Sequence, residues 1–214
     1  FSSDNGCVPE DPRGENDGDR RLDGFKPGQK ITSAAPLRGE KGTLLEGGIR
    51  VPTILYVPGA RANGTKTDTP MITYDLFPTI LALANIQAPR GWPLDGISLQ
   101  PALDGSPLPD RPLIWHYPHY VGAPPSDKYP DGMKQRPAAA IRVGEWKLIH
   151  EFEDGNSSLF NIDTDPGEEK DLASWRPDTM ARLRSRLLDY LDSVEAQLPQ
   201  PNPNHRHAKP TPAS

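Results

Sequence analysis

Gly39-Glu40-Lys41-Gly42-Thr43-Leu44-Leu45-Glu46-Gly47-Gly48-Ile49-Arg50-Val51-Pro52 packs a lysine, an arginine, two glutamates and four glycines into fourteen residues. Glycine lets backbone approach a ligand closely. Lysine and arginine are the side chains that hold oxyanions. The apolar run Thr53-Ile54-Leu55-Tyr56-Val57 follows at once and reads as a fully buried strand. A polar glycine loop beside a core strand is an anion site on a rigid scaffold. Within it, the Lys41 ammonium can contact a sulfuryl or phosphoryl oxygen and neutralise charge that builds in a transition state. A solvated surface lysine is the alternative. Glu46 and Arg50 lie four apart and read as a structural clamp rather than as chemistry. Gly47 and Gly48 read as backbone geometry.

A second group of candidates opens the chain. Asp4-Asn5-Gly6 sets a carboxylate beside a carboxamide. Both are hard oxygen donors of the kind that calcium and magnesium favour. The same residues suit an ordinary turn, and by themselves they do not decide. Trp115-His116-Tyr117-Pro118-His119-Tyr120 holds two histidines, but Pro118 breaks helical spacing between them, so a zinc pair is not expected.

These residues need elements to position them. Asp75 is placed to cap a helix running to about Asn85, with Leu76, Phe77, Ile80, Leu81 and Ala84 as its apolar face. Leu113–Tyr117, Ala138–Val143, Trp146–Phe152 and Ser158–Ile162 are strand candidates. Gly144-Glu145 and Asp154-Gly155-Asn156 supply hairpin turns for the last three. Asp178 is placed to cap a helix to about Gln197, with Met180, Leu183, Leu187, Leu188, Leu191 and Val194 on one side. A small antiparallel sheet covered by that helix is the expected arrangement. Residues 7–35 and 118–137 read as long loops, and the Pro-rich stretch from Pro199 as a disordered tail.

Composition narrows the class. With 26 prolines among 214 residues, much of the chain must be loop. A net charge of -5 leaves no basic footprint for nucleic acid. No apolar run is long enough to span a bilayer. A single cysteine, Cys7, rules out an internal disulfide framework. Phe1 stands where an initiator methionine would, and Phe1–Gly6 reads as the end of a strand entering a turn. The natural protein is therefore expected to begin upstream.

In order along the chain, Phe1-Ser2-Ser3-Asp4-Asn5-Gly6, Lys41 with Glu46-Gly47-Gly48-Ile49-Arg50-Val51-Pro52, and Tyr74-Asp75-Leu76-Phe77-Pro78-Thr79 form a series. It continues with Leu94-Asp95-Gly96-Ile97-Ser98-Leu99, Ala140–Ile149 and Leu159–Glu168. The series resembles the C-terminal portion of the sulfatase family, within the alkaline-phosphatase-like superfamily, over roughly residues 1–195. The arylsulfatases that act on sulfated sugars or aryl esters look closest.

The resemblance implies an α/β fold, a partial alkaline-phosphatase-like core plus a small C-terminal antiparallel sheet covered by an amphipathic helix. Residues 1–112 would be the last part of the catalytic domain, 113–198 the sheet subdomain and 199–214 the tail. It implies calcium as cofactor, with Asp4 and Asn5 among its ligands. It also implies Lys41 as the sulfate holder, His119 as a substrate contact, and Glu46, Gly47, Gly48 and Arg50 as supports. A small-molecule or carbohydrate sulfate ester would be the substrate, and a periplasmic or secreted location would follow.

Sulfatases work through a formylglycine made from Cys-x-Pro-Ser-Arg or its serine counterpart. No such element occurs in this sequence, and Cys7-Val8-Pro9-Glu10-Asp11 imitates only its first three positions. The chain alone is therefore expected to be inactive. A non-catalytic anion-binding module and a phosphate or phosphonate hydrolase of the same superfamily are the competing readings.

Overall fold

The computed structural model describes residues 1–8, 32–122 and 129–203. Most of the first expected loop and the tail beyond residue 203 lie outside these. The fold is mixed α/β, and its centre is a four-stranded antiparallel sheet. The strands are β1 (Leu113–Tyr117), β4 (Ala138–Val143), β5 (Trp146–Glu151) and β6 (Ser157–Asn161), in the order β1-β4-β5-β6. The expected three-strand meander thus gains β1 as its fourth member. A short ribbon, β2 (Val121–Gly122) paired with β3 (Met133–Gln135), stands where the sequence suggested only loop. Two residues of strand carry too little periodicity to be read.

The β4–β5 hairpin turns at Gly144, whose φ of 57° suits the first central position of a tight turn. Ala138, Ala139, Ala140 and Ile141 of β4 are all fully buried, so both faces of the sheet are covered. Three successive alanines let other elements approach the central strand from either side.

On one face Ala139, Ile141, Leu148 and Leu159 meet Leu183, Leu187 and Leu191 of helix α4 (Pro177–Ser193). Those leucines recur every four residues, the helical spacing that puts them on one side. Burying each contributes roughly 1.5–3 kcal/mol. Asp178 does not cap this helix: Pro177 opens it and Asp178 lies inside the first turn, where its charge favours the helix dipole. The helix closes earlier than expected. Glu195 takes a φ of 50° and Ala196 N–H reaches back to Leu191 O at 2.9 Å.

On the other face Ala138, Ala140, Trp115, Tyr117 and Ile149 pack against Leu44 and Ile49. The glycine-rich loop, with its four-residue turn α1 (Glu46–Ile49), is therefore built onto the sheet.

The first half holds helix α2 (Leu76–Leu83) and α3 (Gln100–Leu103). Asp75 does not cap α2 through its side chain. Its carboxylate instead accepts Ile72 N–H at 3.0 Å and Ile97 N–H at 3.1 Å and pairs with Arg111, tying three segments together. Two apolar expectations are corrected. Residues 53–57 form only an isolated bridge, Ser2 to Thr53, and Tyr56 is 77% exposed. In α2, Phe77 and Ile80 point outward, with Ile80 61% exposed. Both runs are apolar enough for a core, but no second layer covers them among the described residues.

His150 on the helix face is buried, its Nδ1 2.9 Å from Ser157 Oγ and its ring edge-on to Phe152. Burial, then the Arg184 charge, pushes its pKa below the ordinary 6.5. A depressed folded value contributes stability that is present above pH 6.5 and is lost as pH falls through it. His150→Gln should therefore flatten the pH dependence of the urea midpoint below neutrality. Parallel profiles for the two proteins would contradict this.

Candidate functional site

The N-terminal segment lies along the glycine-rich loop and the run after it. The Phe1 backbone nitrogen donates to Ile54 O at 2.8 Å, and Ile54 N–H returns to Phe1 O at 2.7 Å. Gly6 N–H donates to Gly48 O at 3.0 Å, and Lys41 N–H to Cys7 O at 2.8 Å. Asp4 and Asn5 are thus held between bonded positions, on a segment that also touches the backbone of Lys41.

Glycine is required at this junction. A Cβ on Gly6 would stand 2.0 Å from Gly47 O, one on Gly47 2.5 Å from Gly39 O, and one on Gly48 2.2 Å from Thr43 O. In each case the obstacle is backbone and cannot rotate away. Gly6→Ala should therefore destabilise the fold by about 1–3 kcal/mol and speed hydrogen exchange at the Gly6 and Lys41 amides. Unchanged exchange would show that the two segments are not locked together in this way.

The side chains on this frame are uncommitted. Lys41 is exposed and forms no ion pair among the described residues, and the Asp4 carboxylate is exposed and takes no hydrogen bond there. Asn5 is half-buried, and only its backbone oxygen is engaged, by Ser3 Oγ at 2.9 Å.

Exposed His119 lies between two residues that touch the glycine-rich loop. Its ring stands edge-on to Tyr117, whose side chain packs in the cluster with Leu44. Two residues later, Val121 of β2 lies against Gly42. His116 goes elsewhere. Its Nε2 is 2.9 Å from Gln197 O and its ring meets Phe152 on the helix face, so the two histidines form no pair.

Bracing of the loop comes largely from residues that the sequence did not single out. Lys147 of β5 is fully buried, with Nζ 2.9 Å from Glu46 Oε1 and 2.8 Å from Glu168 Oε1. Glu168 Oε2 accepts Glu46 N–H at 2.6 Å, and its backbone oxygen accepts from Arg38 Nη1 at 3.0 Å. Burial raises the Glu168 pKa, and the Lys147 charge opposes that rise. The expected Glu46–Arg50 pair is present at 3.7 Å, but the Arg50 side chain is 46% exposed and adds little. From β3, Lys134 pairs with Glu40 and Gln135 Oε1 accepts Leu44 N–H at 2.9 Å. In sequence Lys147 reads as the outward member of an alternating strand. Only the loop packed on that face makes it a buried charge.

A divalent cation is the group implied for Asp4 and Asn5. Their two adjacent oxygen donors suit a hard cation, and their side chains are free to bind one. No group of three or more His, Cys, Asp or Glu gathers among the described residues. Calcium takes six to eight oxygens, so these two fit as part of a site rather than as a whole one.

The profile of the family described as N-sulphoglucosamine sulphohydrolase, C-terminal, matches residues 40–197. A sulfatase of Formosa agariphila is 30% identical over 176 residues, covering 75% of this chain and 30% of the relative. Arylsulfatase A of Bos taurus is 31% identical over 183 residues, covering 75% and 33%. The chain thus spans about a third of the length of the curated relatives it matches. Among solved structures, Ps i-CgsB in complex with k-i-k-neocarrahexaose superposes with a TM-score of 0.60 at 26% identity, covering 79% of this chain and 34% of that one. A sulfatase of Bacteroides thetaiotaomicron gives 0.55 at 25% identity, covering 85% and 39%.

Proposed function

The chain belongs to the N-sulphoglucosamine sulphohydrolase C-terminal family of sulfatases, and from that premise we propose that it supplies half of a site that hydrolyses sulfate esters. In this reading residues 1–112 complete the catalytic α/β domain. Lys41 binds the sulfate and neutralises charge as the ester S–O bond breaks. Asp4 and Asn5 offer hard oxygens to calcium, which supplies Lewis-acid charge at the sulfate when bound. His119 contacts the alcohol part of the substrate. A carbohydrate sulfate is favoured, because the solved relative Ps i-CgsB is in complex with a neocarrahexaose.

The observation that carries the proposal is the backbone register of residues 1–8 against the glycine-rich loop. It sets Asp4 and Asn5 two to three residues from Cys7, whose backbone oxygen accepts from Lys41 N–H, while the side chains of all three stay without a partner among the described residues. The nucleophile comes from outside these 214 residues. Without it the reaction loses its covalent route, so the chain alone should not turn over. Incubation with a chromogenic aryl sulfate and calcium checks this. Turnover that vanishes in Lys41→Ala and is indifferent to Cys7→Ala would contradict it.

A further inference from the structure

On the side of the sheet that carries α4, a second concavity of about 600 Å³ opens between the β4–β5 turn, the end of β6 and the segment leading into α4. Trp175 stands in it 75% exposed, beside half-buried Trp146. An indole left in water at a groove is a contact surface waiting for a flat apolar partner. The Lys170 ammonium lies 5.9 Å from the Trp175 ring centroid, so a cation is held beside that face. Arg176 lines the same groove. Neither cation forms an ion pair among the described residues.

Asn161 Oδ1 is taken by Thr164, by its N–H at 3.1 Å and its hydroxyl at 3.0 Å, which leaves the amide nitrogen of Asn161 to donate. Glu145, exposed on the turn, adds an acceptor. An indole platform, two unpaired cations, an amide donor and a carboxylate acceptor match the parts of one ligand class. A sugar ring presents C–H faces to the indole and hydroxyls to the amide and carboxylate, and a sulfate group meets the cations.

We propose that this groove is a non-catalytic binding subsite for a sulfated saccharide chain. It lies across the sheet from the Lys41 loop, so one chain end can be held there apart from the reacting ester. The choice of sulfated sugar as ligand rests on the sulfate-ester reading. The binding itself needs no turnover.

The test is a titration of the chain with a sulfated neocarrahexaose and with the same hexaose after desulfation, followed by tryptophan fluorescence and calorimetry. Binding should quench fluorescence saturably. Trp175→Ala should weaken it by about tenfold or more, as should Lys170→Ala combined with Arg176→Ala, and the wild-type affinity should fall as salt rises. These side chains are exposed, and circular dichroism confirms that the variants fold. Equal affinity in Trp175→Ala, or for the desulfated hexaose, overturns the proposal. Binding lost in Lys41→Ala but kept in Trp175→Ala assigns the ligand to the loop, which overturns the groove and spares the sulfate-ester reading.

Discussion

Lys147→Ala should lower the unfolding free energy by about 3–5 kcal/mol, the loss typical when one partner of a buried ion pair is removed. The substitution leaves two carboxylates, Glu46 and Glu168, buried without their shared cation. It also removes the link between β5 and the loop, because Glu46 is the first residue of α1 and Glu168 holds its N–H.

The pH dependence follows from the direction of the Glu168 shift. Its folded pKa is raised above 4.5, so its contribution is present below that value and is lost as pH rises through the raised one. The Lys147 charge already limits that rise. Without Lys147 the deficit should grow further as pH rises above 4.5. Combining Lys147→Met with Glu46→Gln and Glu168→Gln should recover most of the stability, since neutral side chains of similar volume avoid the desolvation penalty. Urea unfolding at several pH values measures all of this. A Lys147→Ala protein within 1 kcal/mol of the parent would show that the triad does not hold the loop.

The C-terminal half was legible because its elements carry their own periodicity. β1, β4, β5 and β6 are short apolar runs, glycine marks the hairpin turns between the last three, and Leu183, Leu187 and Leu191 repeat at helical spacing. What escaped was long-range. Lys147 and Glu168 are ordinary polar residues until the loop from residue 40 onward closes over them, and no local pattern announces a partner 101 residues away. The Asp75 carboxylate was read as a cap because only its neighbours are visible in sequence, whereas its strongest partner is Arg111.

The opposite error occurred at residues 53–57 and in α2. There the apolar pattern is real, but burial needs a covering layer, and Tyr56 and Ile80 have none among the described residues. The glycines of the loop were readable as geometry. Their necessity, backbone against backbone at Gly6, Gly47 and Gly48, depends on the N-terminal segment lying across them.

Lys41 carries the largest expected functional effect. It is exposed, unpaired and mounted on a loop fixed by the triad on one side and by the Cys7 backbone on the other. A fixed cation aimed at developing charge lowers a barrier because it need not reorganise during the step. Removing one such group costs about 10²–10³ in kcat. Lys41→Arg should keep part of the activity, since charge is retained while the point-like ammonium is replaced by a planar fork.

The decisive measurement puts this chain in place of the matched segment of the Formosa agariphila sulfatase, which is 30% identical to it over 176 residues. Hydrolysis of an aryl sulfate is then followed with calcium present. The resulting protein should turn over, and Lys41→Ala should lower kcat by about 10²–10³ while the fold is retained. Turnover at the parent rate in Lys41→Ala would contradict the assignment of this loop as the sulfate site.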